Sequence, residues 1–171
     1  MIHVKPGCEA QAVELLKSTP KSDGLQEVFC PMALGLRREC GEDVEVREPM
    51  FDGCVFAVAP SKWELRACMR RADGLDALCD DAPAFEALEE SEEAFVNLLA
   101  EPGGRMVQLS DVVIEPNGRL TVARGPLREC EEEPFKLSES RRWTYMHTRL
   151  AGQPAVARLG LRIAVNSGVR L

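Results

Sequence analysis

Apolar positions are densest over residues 49–59, PMFDGCVFAVA. The second half of this stretch, residues 55–59, is apolar without interruption, rich in β-branched and aromatic residues, and too short for a buried helix. It predicts a central strand covered on both faces. Gly53 within the stretch indicates a bulge or the close approach of another backbone.

The segments before this strand alternate between strand and helix patterns. Residues 2–4 predict a short edge strand, and an apolar stripe that ends before Pro20 predicts the first helix. A second strand is expected over residues 28–36. The charged turn ECGED, residues 39–43, follows it, so this strand and residues 49–59 are predicted to pair as a hairpin.

Two further helices are expected after residue 60. Ser61 and Glu64 have the spacing of a capping box. A core-facing stripe follows at helical spacing, formed by Leu65, Cys68, Met69 and Ala72. The third helix is short and carries Phe95, Leu98 and Leu99. The acidic residues at its start suit the positive end of a helix dipole.

The pattern changes after Pro102, Gly103 and Gly104, which form the best linker candidate. Short strands are predicted over residues 111–114, 119–123, 135–137, 143–150, 154–159 and 161–165. Asn117-Gly118 is a strong signal for a hairpin between the first two. Closely spaced short strands favour a small barrel. The predicted boundaries are a domain over residues 1–101, a linker over 102–108 and a second domain over 109–171.

Charge supports this division. Residues 1–101 carry ten Lys and Arg against 21 Asp and Glu, whereas residues 102–171 carry eleven basic and seven acidic residues. Six arginines and no acidic residue lie between Arg141 and the end. Parts of opposite charge indicate modules with different partners.

Candidate catalytic chemistry is sparse. The seven cysteines include no CxxC pair, which predicts reduced, mostly buried thiols rather than a zinc site. His3 and His147 lie in different modules, and no set of nucleophile, base and orienting residue is visible. We therefore expect no enzyme activity, metal or cofactor. Without a signal peptide or a membrane-spanning segment, a cytoplasmic protein is expected.

One predicted strand carries a candidate nucleic-acid surface. Alternation over residues 143–150 places Trp143, Tyr145, His147 and Arg149 on one face. Aromatic side chains interleaved with arginine offer stacking platforms and phosphate contacts. The other interpretation is an ordinary amphipathic strand whose aromatic residues are partly buried.

Two stretches resemble the NusG family of transcription elongation factors. Residues 50–58 resemble the family's apolar pair followed by a glycine and a further apolar run. Residues 120–163 match the spacing of the KOW domain through Gly125-Pro126-Leu127-Arg128, Gly152 and the Leu-Gly-Leu-Arg-Ile segment at 159–163. The Gly-Pro-Leu start and the basic hairpin are most similar to the specialised LoaP-like paralogues.

The resemblance implies an α+β protein with a NusG N-terminal (NGN) α/β sandwich domain followed by a small SH3-like KOW β-barrel. It also implies a monomeric antitermination factor that binds the clamp helices of the largest RNA polymerase subunit. The residues that match this polymerase-binding surface are Met50, Phe51, Gly53 and Cys54. In LoaP-like proteins the KOW domain is understood to contact nascent RNA. The candidate RNA-binding residues are Arg124, Arg128, Lys136, Arg141, Arg142, Trp143, Tyr145 and Arg149.

Alternatives remain open at each level. Phe51 is either a docking residue or core, and because Met50 and Phe51 are adjacent in a predicted strand, one of them is expected to face away from the main core. The KOW domain of a polymerase-bound adaptor would instead bind a ribosomal protein or a termination factor. A third hypothesis is a small thiol enzyme that uses one of the cysteines.

Overall fold

The computed structural model describes residues 1–20, 25–100, 103, 105–114, 120–130, 135–137 and 142–164, with only the backbone of residues 114, 120, 135–137 and 164. Its helices and strands are, in chain order, β1 (Ile2–His3), α1 (Glu9–Ser18), β2 (Glu27–Phe29), β3 (Met32–Glu39), β4 (Glu42–Pro49), β5 (Cys54–Val58), α2 (Lys62–Arg71), α3 (Glu90–Leu99), β6 (Met106–Val107), β7 (Ser110–Ile114), β8 (Leu120–Arg124), β9 (Phe135–Leu137), β10 (Trp143–Leu150) and β11 (Gln153–Ala164). The prediction of mixed helices and strands is confirmed.

The central strand of the first sheet is β5. It lies between β1 and β2 and pairs antiparallel with both. Its neighbouring residues Val55 and Phe56 are both buried, and they belong to two separate hydrophobic clusters. Val55 shares its cluster with α1 and α2, whereas Phe56 shares its cluster with α3. The prediction of a central strand covered on both faces is confirmed for these residues.

The hairpin forms, but its strands differ from the prediction. Cys30 and Pro31 divide the predicted strand at 28–36 into β2 and β3. Pro31 has no N–H to donate to a neighbouring strand. Its carbonyl oxygen accepts a hydrogen bond from the N–H of Met50 at 2.7 Å. β3 pairs with β4 across Cys40 and Gly41. The return strand is therefore β4. It contains few apolar residues, so the sequence pattern does not indicate it.

The prediction of one strand over residues 49–59 is wrong for its first half. Pro49 ends β4, and the chain turns through residues 50–53 before β5 begins at Cys54. Gly53 adopts a φ of +70°, and a Cβ there would lie 2.7 Å from the carbonyl oxygen of Val4. The predicted close backbone approach at Gly53 is confirmed.

The three predicted helices are present. The Ser61 hydroxyl accepts the backbone N–H of Glu64 at 3.3 Å at the start of α2, as its side of the predicted capping box requires. The α2 stripe is buried. In α3 the stripe is shifted, because Val96 and Leu99 are buried whereas Leu98 is 51% exposed.

The second large sheet has the strand order β8-β7-β11-β10-β9. The strands predicted at 154–159 and 161–164 form one strand, β11, which passes through Gly160 without a break. Asn117, Gly118 and residue 165 lie outside the described residues, although β7 and β8 do pair antiparallel. Within the predicted linker, β6 pairs in parallel with β3.

The two parts of the chain share a hydrophobic cluster. We call residues 1–100 the N-terminal part and residues 105–164 the C-terminal part. The cluster contains Met50, Phe51 and Phe56 from the first, and Met146 and Leu150 from the second. No helix in the described residues is long and apolar enough to cross a membrane.

Candidate functional site: the contact between the two parts

All four residues of the predicted polymerase-binding set are buried. Met50 is 0%, Phe51 2% and Cys54 9% exposed, and Gly53 is also buried. The expectation that Met50 or Phe51 faces away from the core is wrong. Both lie in the turn before β5, where strand alternation does not apply, and both belong to one cluster. The Phe51 ring packs at 6.0 Å, centroid to centroid, against Phe56.

The C-terminal part covers this turn. The backbone N–H of Arg158 in β11 donates to the carbonyl oxygen of Met50 at 2.8 Å. A cleft of about 390 Å³ lies between the two parts beside this bond. Phe51 and Cys54 line it from one side, and Tyr145 and Val156 line it from the other.

The covering face is the aromatic face predicted for β10. Thr144 and Met146 are fully buried on the inner side of the strand, whereas Trp143 and Tyr145 alternate with them on the outer side. This part of the predicted alternation is confirmed. Residues opposite each other in paired strands share a face. Trp143 lies opposite Gly160, and Tyr145 lies opposite Arg158.

Two glycines bring the parts into close contact. A Cβ on Gly35 in β3 would lie 2.0 Å from Cζ2 of Trp143. A Cβ on Gly160 in β11 would lie 1.9 Å from the carbonyl oxygen of Leu34. Neither position accepts a side chain in this arrangement, because neither distance leaves room for an atom. Glycine inside a strand pattern is a sequence signal for close approach, so it could have marked both positions, although not their partners.

Ion pairs border the glycine contact. The Arg158 guanidinium lies 2.8 Å from a carboxylate oxygen of Glu48 and 2.8 Å from one of Asp52. Arg142 lies 2.8 Å from a carboxylate oxygen of Asp43. Its hydrogen bond holds the pKa of Asp43 below the ordinary value. The contact therefore joins carboxylates of the N-terminal part to arginines of the C-terminal part.

Glu92 in α3 forms a second polar anchor. Its carboxylate accepts the backbone N–H groups of Ala151 and Gly152 at 2.8 and 2.9 Å, in the turn between β10 and β11. Burial opposes ionisation of Glu92, but hydrogen bonds from the Gly152, Glu89 and Ala151 backbones outweigh it, so its pKa lies below the ordinary value. One member of the predicted acidic start of α3 thus binds the C-terminal part.

The segment that joins the parts is fixed by Arg105. Its guanidinium makes two hydrogen bonds to the Glu27 carboxylate, at 2.8 and 2.5 Å, and one to the side-chain oxygen of Asn97 at 2.7 Å. It also lies 3.8 Å from the centroid of the Phe29 ring. The bonds from Arg105 hold the pKa of Glu27 below its ordinary value.

The predicted RNA-binding residues divide into three groups. Arg142, Trp143 and Tyr145 meet at the contact between the parts. Arg124, Arg128 and Arg149 are exposed. Arg149 donates to the carbonyl oxygen of Gly152, whereas Arg124 ends β8, which β7 and β11 separate from β10. Lys136 lies in β9, described by its backbone alone, and Arg141 lies outside the described residues.

The sequence analysis missed several residues of this contact. Arg158 was not among the candidate RNA-binding residues, although it belongs to the same arginine-rich stretch. The carboxylates that face the arginines were not singled out either, because no local motif marks them. They are Asp43, Glu48, Asp52 and Glu92.

Four of the thiols, those of Cys30, Cys54, Cys68 and Cys79, lie in environments that raise the pKa and so disfavour the thiolate. Cys54, Cys68, Cys79 and Cys130 are buried, as expected for most of the cysteines. Burial raises the pKa of Cys30 to about 12 and that of Cys54 to about 11, with smaller contributions from nearby carboxylates such as Glu9. A nucleophilic thiol needs the opposite environment. Among the described residues, no group of three or more His, Cys, Asp and Glu side chains is arranged to hold a metal ion.

Comparison with known proteins leaves the family assignment open. No protein-family model matches the chain, and a search of curated proteins found no match. Membership of the NusG family therefore stays a prediction from the sequence motifs.

Proposed function

We propose that this protein is a transcription antitermination factor of the NusG type, closest to the LoaP-like paralogues. Its N-terminal part, an NGN-like domain, binds the clamp helices of RNA polymerase. Its C-terminal part, a KOW-like domain, binds nascent RNA. The protein needs no catalytic residue or cofactor for this role, because both activities are binding.

The observation that carries the proposal is that the C-terminal part covers Met50 and Phe51. These two side chains are apolar and lie in the turn between β4 and β5, and once uncovered they would offer the kind of apolar surface that receives an amphipathic helix. The C-terminal part buries them through a contact that includes partly exposed ion pairs, with Arg158 21% and Glu48 30% exposed. Polymerase binding at this surface would require the two parts to separate, which such partly exposed ion pairs oppose only weakly.

The C-terminal part supplies the second activity. Its outer face places Trp143 and Tyr145 beside Arg142 and Arg158. Aromatic rings next to guanidinium groups suit bases and phosphates of a single strand. The link to polymerase then raises the effective concentration of RNA near this face, so a weak RNA contact suffices.

Site-specific photo-crosslinking tests the polymerase contact. A photoreactive phenylalanine analogue at Asp52 reports on the turn next to Phe51, and the same analogue at Trp63 is the matched control. Trp63 is 75% exposed on α2, which packs on the opposite side of β5. In a lysate, the label at position 52 should capture the largest polymerase subunit, whereas the label at 63 should not. Equal capture from both positions, or none from position 52, contradicts the proposal.

A polymerase-bound adaptor is the second candidate. Trp143 already packs against a protein backbone at Gly35, and Val156 on the same face is 44% exposed. The same face could therefore bind a ribosomal protein or a termination factor. Changing Arg141 and Arg142 to Glu discriminates the two functions, because phosphate contacts supply much of RNA affinity. The double variant should lose antitermination if RNA is bound and retain activity if a protein is bound.

A further inference from the structure

We propose that the chain forms a reversible homodimer in which Trp63 of each copy inserts into an apolar cavity at the end of β5 in the other copy. Such a dimer is independent of the proposed function, because neither polymerase binding nor RNA binding requires it. It departs from the monomer that the family resemblance implies.

Trp63 is the most exposed large apolar side chain among the described residues, at 75%. It lies near the start of α2, whose buried side is formed by Leu65, Cys68 and Met69. The indole makes no hydrogen bond or ring contact with any described residue. Tryptophan is enriched in protein interfaces and among the residues that dominate their binding energy. Trp63 therefore has the character of an interface residue rather than of a core residue.

An apolar cavity of about 280 Å³ lies beside the start of α2. It is bounded by the end of β5, by α2, by residues 85–88 and by α3, and its walls include Phe56, Val58, Phe85, Leu88 and Val96. Val58 is 38% exposed, so part of the apolar wall is open to solvent. The volume lies just below the roughly 300–1,000 Å³ that is typical of ligand pockets. The cavity therefore suits one large apolar side chain.

Trp63 and the cavity are neighbours on one surface. Ser61 and Lys62, which precede Trp63, line the cavity, whereas Trp63 itself does not. The side chain and the cavity are therefore both left open within one chain. A two-fold axis beside them brings each Trp63 to the cavity of the other copy, because an isologous contact joins the same patch of both subunits.

Charged residues around the cavity fit the same symmetry. Lys62 and Glu93 both line it and are exposed, and neither forms an ion pair with another described residue. Lys62 approaches the other copy together with Trp63 and so meets Glu93 there. The carboxylates of Glu86 and Glu93 beside the cavity would repel a phosphate backbone. Charge complementarity thus favours a second copy of the chain over a nucleic acid as the occupant.

The contact should be weak enough to be reversible. A buried tryptophan contributes about 150–250 Å² of contact area. Two of them supply only part of the roughly 1,200–2,000 Å² that a stable interface buries. We therefore expect a dissociation constant on the order of micromolar.

Sedimentation velocity over a range of protein concentrations tests the dimer. The buffer is reducing, because Cys40 is exposed and would otherwise join two copies through a disulfide. Trp63→Ala should raise the dissociation constant by about thirtyfold, as the loss of a dominant interface residue does. The control is Val44→Ala, which removes an apolar side chain that is 40% exposed in β4. It should leave the dissociation constant unchanged.

A mixing experiment tests the insertion itself. Val58→Arg fills the cavity but keeps Trp63, whereas Trp63→Ala keeps the cavity open. Each variant alone should be monomeric where the unmodified chain is dimeric. Their mixture should associate, because Trp63 of the first variant finds an open cavity in the second.

Three results would overturn the inference. The first is an unmodified chain that stays monomeric at about 100 μM, which would leave the surface to a different partner. The second is a dimer that Trp63→Ala does not weaken. The third is a mixture of the two variants that fails to associate. None of them bears on the proposed function, which the crosslinking at Asp52 tests separately.

Discussion

The backbone N–H of Arg158 donates to the carbonyl oxygen of Met50 at 2.8 Å. This bond joins a strand of the C-terminal part to the turn that carries the predicted polymerase-binding residues. The same arginine binds Glu48 and Asp52 through its side chain. The backbone and side-chain contacts of Arg158 therefore accompany the covering of the apolar turn.

Substitution of Gly160 should separate the two parts. In Gly160→Ala the new Cβ would lie 1.9 Å from the carbonyl oxygen of Leu34, a backbone atom that cannot give way without moving β3. We expect both parts to stay folded but to lose their contact. A hydrophobic dye should then bind at the uncovered Met50 and Phe51, and residues 50–54 should exchange hydrogen faster.

Gly41→Ala is the matched control for that substitution. Gly41 lies in the β3–β4 turn with a φ of +90°, and a Cβ added to it would meet no atom within 4 Å. Alanine there costs about 1 kcal/mol of backbone strain but creates no collision. Unchanged dye binding in Gly160→Ala, or equal binding in the two variants, would contradict the predicted role of Gly160.

Charge reversal should open the contact, and a second reversal should close it. Arg158→Glu places a carboxylate against Glu48 and Asp52, so the parts should repel each other. The combination Arg158→Glu, Glu48→Lys and Asp52→Lys restores opposite charges across the contact. Small-angle scattering should show expansion in the single variant and recovery of compactness in the triple variant. Expansion that persists in the triple variant would rule out a contact governed by these charges.

Glu92 should make the closed arrangement sensitive to acid. Its pKa in the folded protein lies below the ordinary value of 4.5, so its contribution is fully present above about pH 4.5 and is lost as pH falls through the folded-state pKa. Glu92→Gln should weaken closure by about 2 kcal/mol at neutral pH, because charged hydrogen bonds to Ala151 and Gly152 are removed. Hydrogen exchange at these two amides measures the effect. Protection that is equal in Glu92→Gln and in the unmodified protein would refute the assignment.

Arg105 should contribute to stability rather than to binding. Arg105 makes a bidentate pair of hydrogen bonds to Glu27 and also contacts the Phe29 ring. Lysine at this position cannot make both interactions. We expect Arg105→Lys to lower the free energy of unfolding by about 2 kcal/mol, measured by urea denaturation. The control Arg66→Lys alters a looser ring contact at 5.6 Å from Phe85. It should cost well under about 1 kcal/mol. Similar losses in both variants would contradict a special role for Arg105.

Local patterns predicted most of the individual elements. The unbroken apolar run at residues 55–58 correctly predicted a buried central strand. Both faces of β5 pack against other elements, so apolar residues are needed on both of them. The turn at residues 50–53 was missed because Met50 and Phe51 give it the apolar content of a strand. Part of their cover comes from β11, which is far away in the sequence, so no local pattern could reveal it.

The candidate site was predictable only in fragments. Alternation correctly placed Trp143 and Tyr145 on the face opposite Thr144 and Met146. It could not show that the N-terminal part covers this face. That contact depends on the pairing of Gly35 with Trp143 and of Gly160 with Leu34, which is a property of the assembled chain.

Single-round transcription with purified RNA polymerase tests the proposed function most directly. The template carries an intrinsic terminator downstream of a transcribed leader, and the readout is the fraction of transcripts that extend past the terminator. The proposed function predicts that the protein raises this fraction. An unchanged fraction would contradict the assignment as an antitermination factor.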